Sequence, residues 1–228
     1  MPRAVRAERH DSAADCAGVD GCAAGWVVAS RAGVRVESSI RRVIETFPVV
    51  GIDMPIGLPA HVSRHSDGEA RKYLGTRHST IFPTPVRACL SASNHTNACA
   101  LSVAACGRAI SVQAWNLVGK IRELDMCVAP ALEDRVCEVH PECSFAAMNG
   151  HQPLPSKHCP EGLVQRTSLI TQHFGTVPPT PRGARPDDVL DAYAVLWSVE
   201  RFAAERHFTF PSVGEQRDER GLLMRIVV

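Results

Sequence analysis

The sequence predicts an α/β fold with a mixed sheet, and three features lead to that prediction. Strand-type residues at Val19 and at positions 26–29 flank a turn rich in Gly and Ala, which indicates a β-hairpin. A short amphipathic stretch at residues 40–47 separates this hairpin from another apolar strand, so we expect a crossover and a parallel strand pair. Residues 187–205 are apolar nearly all round, which is typical of a buried helix.

The individual elements follow from the hydrophobic spacing along the chain. Residues 34–38 predict a third antiparallel strand after the hairpin. Apolar side chains at positions 40, 43, 44 and 47 follow the spacing of one helix face. The continuous apolar run at residues 49–53 predicts a strand that is buried on both faces. Residues 136–142 predict a later strand, and residues 221–228 an edge strand.

The composition excludes several classes of protein. A net charge of +1 means that the chain has no overall positive field. This argues against a nucleic-acid substrate without excluding one. The nine cysteines contain no Cys-x-x-Cys pair, which argues against a structural zinc site. The number of cysteines is odd and no signal-peptide core is present, so we expect reduced thiols and a cytoplasmic location. No apolar run reaches the roughly 18 residues of a membrane span, so we expect no membrane contact.

One domain accounts for most of the chain. Residues 1–16 are charged and short of apolar residues, and we expect a flexible N-terminal segment there. Residues 17–228 have the length of one large α/β domain. Within it, residues 60–130 separate two acid-bearing strands and predict a helical and loop insertion.

Carboxylates recur at the ends or inside apolar elements. Asp20 interrupts a strand of small apolar residues, Asp53 ends the next apolar strand, and Glu138 lies in the third. An ionised carboxylate in such surroundings is costly unless a partner such as a metal compensates for its lost water. The alternative for Asp20 is that it merely begins an Asp-Gly hairpin turn.

The last predicted helix separates structural from functional acids. Asp187 and Asp188 follow Pro186 at the helix start, where acids cap free amides and suit the helix dipole. Asp191 has no such explanation, and it shares a face with Asp188 because the two are three residues apart. Neighbouring acids repel unless a cation lies between them or one is protonated. Mg²⁺ is typically bound by few carboxylates, with water and substrate phosphate as its other ligands.

Further candidates for substrate contact come from loops and from the third acidic strand. Arg77 and Arg87 lie in a Pro-rich loop that could bind phosphate, although loop arginines are commonly only solvated. His140 would share a strand face with Glu138 and Glu142 by side-chain alternation, as a general acid, an outer partner or a structural hydrogen-bonding group. Lys157, in a later loop, is the remaining candidate.

The order of elements is that of the ribonuclease-H-like fold: hairpin, third strand, helix, strand, helical region, strand and acidic helix. Six blocks resemble domain-of-unknown-function family 429, which is described as predicted ribonuclease-H-like nucleases. Each block is weak alone, but together they span nearly the whole chain. The blocks are GVDGC at 18–22, GIDMPIGLP at 51–59, IFPTPVR at 81–87, QAWN at 113–116, EVHPECSF at 138–145 and DDVLDA at 187–192.

The resemblance implies a ribonuclease-H-like three-layer fold, with a mixed five-stranded sheet and helices on both faces. Asp20 would lie on the central first strand and Asp53 at the end of its neighbour, facing Asp188 and Asp191 from the last helix. The chain departs from the family pattern at residues 23–24, where Ala-Ala replaces an expected Arg-Gly. That departure implies weaker phosphate binding if the missing arginine contacts phosphate.

These features favour metal-dependent hydrolysis of phosphodiester bonds in DNA or RNA. Two Mg²⁺ or Mn²⁺ ions would activate water and stabilise the leaving oxygen. Asp20 would bridge the ions, and Asp53, Asp188 and Asp191 would complete the site, with Glu138 as a further member.

Two alternatives stay open. A non-catalytic protein that retained the fold is consistent with the near-neutral charge, although buried acids favour chemistry. An ATP-handling phosphotransferase of the actin and sugar-kinase type would need a second domain with its own phosphate turn, and 228 residues do not hold one. The sequence predicts no oligomeric state.

Overall fold

The computed structural model describes residues 16–228. The predicted flexible segment of residues 1–16 lies outside these residues, apart from Cys16, which begins the first strand. The strands are β1 Cys16–Cys22, β2 Gly25–Ser30, β3 Gly33–Glu37, β4 Val49–Ile52, β5 Val136–Val139, β6 Thr209–Phe210 and β7 Ile226–Val227. The helices are α1 Ile40–Thr46, α2 His65–Leu74, α3 His95–Cys106, α4 Val112–Asp125, α5 Pro141–Met148, α6 Pro160–Phe174 and α7 Pro186–Ala203. Short 3₁₀ turns occur at Gly75–Thr80, Arg87–Ser91 and Pro130–Leu132.

The strands form one mixed sheet in the order β3-β2-β1-β4-β5-β7-β6. The α/β class is thereby confirmed, and so are the antiparallel β1–β2–β3 meander and the parallel β1–β4 pair. The predicted count of five strands is wrong, because the structure has seven in its described part. The C-terminal segment adds β7 beside β5, and the two-residue β6 pairs with β7 and takes the edge in its place.

Helices cover both faces of the sheet. Helix α7 packs on one face in a core that includes Val195 and Leu196, and α1 and α4 pack on the other with Ile40 and Ile121. The predicted helix at residues 40–47 is confirmed as α1. This arrangement places α7 directly across the central strands.

Two glycines let α7 lie against the sheet backbone. Gly18 on β1 and Gly51 on β4 are paired in register. A Cβ added at Gly18 would come within 2.2 Å of the Ala192 carbonyl oxygen, and one at Gly51 within 2.4 Å of Val199 Cγ2. Because any larger side chain would push the helix away, these glycines fix the approach of the acidic start of α7 to the ends of β1 and β4.

The segment that follows β5 differs from the prediction. β5 ends at Val139 and α5 begins at Pro141, a residue whose fixed φ suits the first turn of a helix. The expectation that Glu138, His140 and Glu142 share one strand face is therefore wrong, since Glu142 lies in the first turn of α5.

Residues 60–130 connect β4 to β5 and carry α2, α3 and α4. Within the described chain, no helix combines the length and the apolar character needed to cross a membrane. The structure forms no disulfide among the nine cysteines, all of which lie in residues 16–228.

Candidate active site

Three carboxylates meet where β1 and β4 end against α7. Asp20 lies near the end of β1, and Asp53 directly follows β4. Val19 pairs in register with Ile52, and the Asp53 amide donates to the Val19 carbonyl at 2.8 Å. Asp20 and Asp53, the residues that follow this pair, are therefore neighbours. Asp191 of α7 joins them, and all three line one cavity of about 390 Å³. We call Asp20, Asp53 and Asp191 the carboxylate cluster.

The carboxylate cluster is short of compensating partners. Burial, together with the charges of Asp53 and Asp191, holds the pKa of Asp20 well above its usual range. Burial and the charge of Asp191 do the same to the pKa of Asp53. The Gly21 amide donates to Asp20 Oδ1 at 2.7 Å. Among residues 16–228, no hydrogen bond reaches the Asp53 carboxylate, so a cation would relieve both desolvation and repulsion here.

Lys157 supplies the one ion pair that the structure shows to the carboxylate cluster. Its Nζ lies 2.6 Å from Asp191 Oδ2 and 3.6 Å from Asp187 Oδ2. Burial alone would lower the pKa of Lys157, but the charges of Asp191 and Asp20 raise it above its usual range. Burial still raises the pKa of Asp191, although Lys157 opposes that shift. The ammonium therefore stands close to where a metal would bind Asp191.

Asp188 has a separate structural role. Its Oδ2 accepts the Arg185 amide at 2.9 Å, so the side chain satisfies one free amide at the start of α7. Its charge still contributes to the raised pKa of Asp20, so it lies within electrostatic reach of the carboxylate cluster. Asp188 does not line the cavity.

Glu138 lines the same cavity but is already paired. Arg64 Nη2 donates to Glu138 Oε1 at 2.5 Å and Nη1 donates to Oε2 at 2.6 Å. The Ile56 amide donates to the same carboxylate at 2.8 Å. On its other side, Arg64 Nε and Nη2 bind Asp67 Oδ1 at 2.9 and 2.6 Å. We call Arg64, Asp67 and Glu138 the Arg64 network, and its buried groups hold the loop after β4 in place.

Arg64 and Asp67 are functional neighbours that sequence reasoning missed. They lie in and before α2, inside the presumed insertion, where single charged residues are normally taken as solvated. Their only signal in the sequence was the i, i+3 spacing of opposite charges. A second buried pair was missed as well: Arg166 Nη2 donates to both oxygens of Glu142 at 2.8 Å.

Two predicted substrate contacts border the cavity with incomplete hydrogen bonding. Arg77 Nη2 lies 3.8 Å from Glu142 Oε1, and the buried Nε of Arg77 has no partner among residues 16–228. His140 likewise has a buried Nδ1 without a partner in the described chain. Burial lowers the pKa of His140, so the neutral imidazole is favoured. Both residues line the cavity, although these two nitrogen atoms are themselves enclosed by protein.

Arg87 lies elsewhere. Its guanidinium binds Asp125 Oδ2 at 3.0 Å and also pairs with Asp218. Asp218 Oδ2 accepts the Leu58 amide at 3.0 Å, so this group ties the loop after β4 to the C-terminal segment. Since Arg87 does not line the cavity, we do not retain it as a substrate contact.

Lys120 and Phe82 also line the cavity and were not among the predicted site residues. Lys120 Nζ donates to the Gly25 carbonyl at 2.5 Å and lies 4.5 Å from the centre of the Trp26 ring. Lys120 extends from α4 to the β1–β2 hairpin, whose turn carries Ala-Ala at residues 23–24 in place of the expected Arg-Gly. No single-residue signal could place it there, because the contact depends on how α4 packs across the sheet.

The donor set of the carboxylate cluster fits a hard divalent cation. Carboxylate oxygens are the ligands that Mg²⁺ and Mn²⁺ prefer. As the side chains stand, no three or more His, Cys, Asp or Glu residues in the described part of the chain are arranged to hold a metal. A metal bound to Asp191 would take the place of the Lys157 ammonium.

Comparison with known families gives one match. The family model named Protein of unknown function (DUF429) matches residues 18–216. The chain belongs to the DUF429 family. The match begins at Gly18, beside Asp20, and extends beyond α7, so the whole carboxylate cluster of this DUF429 protein lies within it. No curated protein and no solved structure matches the chain.

Proposed function

We propose that this DUF429 protein is a metal-dependent phosphodiesterase that acts on nucleic acid through the carboxylate cluster. The observation that carries the proposal is the under-compensated cluster itself: three acids border one cavity, and among residues 16–228 a single ammonium is their ion-pair partner. Proteins rarely keep such repelling acids without a chemical use. The architecture supports the proposal, since β3-β2-β1-β4-β5 with α7 across β1 follows the ribonuclease-H-like order.

Each side chain has a role in this proposal. Asp20, Asp53 and Asp191 would hold Mg²⁺ or Mn²⁺, with Asp188 adding negative charge nearby. The ions, when bound, supply an activated water and neutralise charge on the phosphate. Lys157 would leave Asp191 and bind substrate phosphate. Its long, flexible side chain and three N–H donors allow it to change partners in this way.

Glu138 takes a positioning role in the proposal. The Arg64 network fixes the Ile56 amide, three residues after Asp53, and thereby the path of the loop that carries Asp53. His140, whose pKa is lowered by burial, would accept or relay a proton from the cavity that it lines.

The first test measures metal binding through stability. Mn²⁺ should raise the melting temperature of the wild-type chain, because a ligand that binds only the folded state stabilises it by about 2.7 kcal/mol at 100 times its Kd. Asp20→Asn should abolish the rise. Asp134→Asn, which changes an exposed acid outside the cavity, is the matched control and should keep it. An equal rise in all three proteins would exclude the site.

The second test measures cleavage directly. The purified chain with Mn²⁺ should nick at least one member of a panel of branched DNA, RNA–DNA hybrid and single-stranded DNA and RNA. Asp53→Asn should remove the nicking while its circular dichroism spectrum stays that of the wild type. If no substrate is cut above the variant's background, the non-catalytic binding protein becomes the better assignment.

A further inference from the structure

The cavity beside the carboxylate cluster has the size of a small-ligand site. Its volume of about 390 Å³ falls in the range of roughly 300–1,000 Å³ in which proteins enclose small ligands. The carboxylate cluster lines it together with Asp67, Glu138 and Glu142. The segment after α2 and helix α4 also contribute to the lining. A cavity of this volume has room for one unit of a substrate.

An aromatic side chain borders the cavity and is exposed. Phe82 is 44 % exposed, whereas most large apolar side chains of the fold are buried. Its backbone is anchored on both sides. Arg71 Nη2 donates to the Ile81 carbonyl at 2.8 Å, and the Thr84 amide donates to Asp67 Oδ2 at 3.1 Å. Hydrogen bonds therefore hold the backbone on either side of Phe82, and its exposed ring is available to stack against a planar partner.

Cationic side chains line the same cavity. Arg77, Lys120 and Lys157 reach it from three different segments of the chain. Three cations around one cavity favour a ligand that bears acceptor oxygens. A phosphate provides such oxygens, and it carries the charge that these cations favour.

We propose that the cavity binds a single unpaired nucleotide, whose base stacks on Phe82 while its phosphate meets Arg77 and the two lysines. This inference rests on the proposed phosphodiesterase function and names its substrate as a single-stranded segment or end of nucleic acid. A planar ring and an anion are required together, and an unpaired nucleotide offers both. A base inside a duplex is covered on both faces by its neighbours, and leaving the stack costs free energy.

Binding in EDTA tests this inference independently of metal. The probes are a fluorescein-labelled blunt DNA duplex and the same duplex with an unpaired thymidine extension, and the readout is fluorescence anisotropy. The wild-type chain should bind the extended probe about 10-fold more tightly than the blunt one, as stacking of one base allows. Phe82→Ala should lose most of that preference, and Phe82→Trp should restore it.

Leu163→Ala is the matched control, since Leu163 is 41 % exposed and lies outside the cavity. It should keep the full preference for the extended probe. Equal binding of the two probes by wild type, unchanged preference in Phe82→Ala, or no binding of either probe would each overturn the inference. A chain that shows the Phe82-dependent preference but never cleaves with Mn²⁺ would refute the proposed function and leave this binding site standing.

Discussion

Two groups of acids border the same cavity and differ in how their charge is compensated. In the Arg64 network, one guanidinium lies between two carboxylates and contacts both at 2.5–2.6 Å. Arg64 also donates to the carbonyls of Ile56 and Gly57, so its hydrogen-bonding capacity is largely used. In the carboxylate cluster, the described residues supply one ammonium for three acids, that of Lys157, and it pairs with Asp191.

The difference separates acids that maintain the structure from acids that are available for chemistry. Burial raises the pKa of Glu138 while Arg64 opposes it, and no second carboxylate is left without a donor in that network. At Asp20, both burial and neighbouring carboxylates act in the same direction. Burial alone thus identifies neither kind of acid. The partner of each carboxylate decides its role, and the following substitutions test that distinction.

The largest effect is expected from breaking the Arg64 network. Arg64→Met should lower the free energy of unfolding by about 3–5 kcal/mol, because it leaves Asp67 and Glu138 buried without a cation. Urea denaturation followed by circular dichroism measures this loss. Mn²⁺ should not restore the stability, since the damage lies outside the carboxylate cluster.

An exposed arginine provides the control for Arg64→Met. Arg217 pairs with Glu133 at 2.8 Å, but the two side chains are 37 % and 34 % exposed. Arg217→Met should therefore cost no more than about 1 kcal/mol. Similar losses in the two variants would mean that the Arg64 network is not the buried structural unit described above.

Much of the fold could be predicted from local pattern. The hairpin, α1 and β4 are each specified by spacing within a few residues, so their positions were predicted to within one or two residues. The strands beyond β5 could not be predicted in this way, because β6 and β7 are two residues long and form only through pairing with distant strands. Residues 140–142 misled the prediction because Pro141 starts a helix where alternation suggested a continuing strand.

The site shows the same division. Asp20, Asp53 and Asp191 could be identified as candidates, since each is an acid in an apolar element whose end the fold brings to one place. The ion pairs could not be identified. The sequence predicted Lys157 as a substrate contact and not as the partner of Asp191, and no pattern connected Arg64, just before α2, with Glu138. The sequence predicted Glu138 as a further member of the site and did not place it among the metal ligands. Its contacts with Arg64, which no sequence pattern indicated, show that its charge is compensated.

An intermediate effect is expected from removing the ammonium of the carboxylate cluster. Lys157→Met should lower stability in EDTA by about 1.5–3 kcal/mol, the usual worth of a hydrogen bond to a charged group. Unlike Arg64→Met, this variant should gain more from Mn²⁺ than the wild type does, because the metal no longer competes with the ammonium for Asp191. Thermal melts with increasing Mn²⁺ would show it. A smaller metal response than that of the wild type would contradict the competition.

The smallest effect concerns repulsion within the carboxylate cluster. Asp20 is a better position for this test than Asp191, because Asp191 has the Lys157 ion pair to lose. An Asn at position 20 keeps an oxygen for the Gly21 amide while removing the charge. Asp20→Asn should thus raise stability in EDTA at neutral pH by about 0.5–2 kcal/mol, as relief of a strained functional site commonly does.

The pH dependence of Asp20→Asn gives the sharpest form of this prediction. The pKa of Asp20 is raised in the folded state, so the folded chain holds that proton more tightly than the unfolded chain does. The resulting stabilisation of the wild type is fully present below about pH 4, the unfolded value, and is lost as pH rises through the folded pKa. The advantage of Asp20→Asn should therefore be near zero at pH 4 and grow towards neutral pH in urea titrations. Asp134→Asn should show no such growth, and an Asp20→Asn variant less stable than wild type at neutral pH would mean that Asp20 is compensated after all.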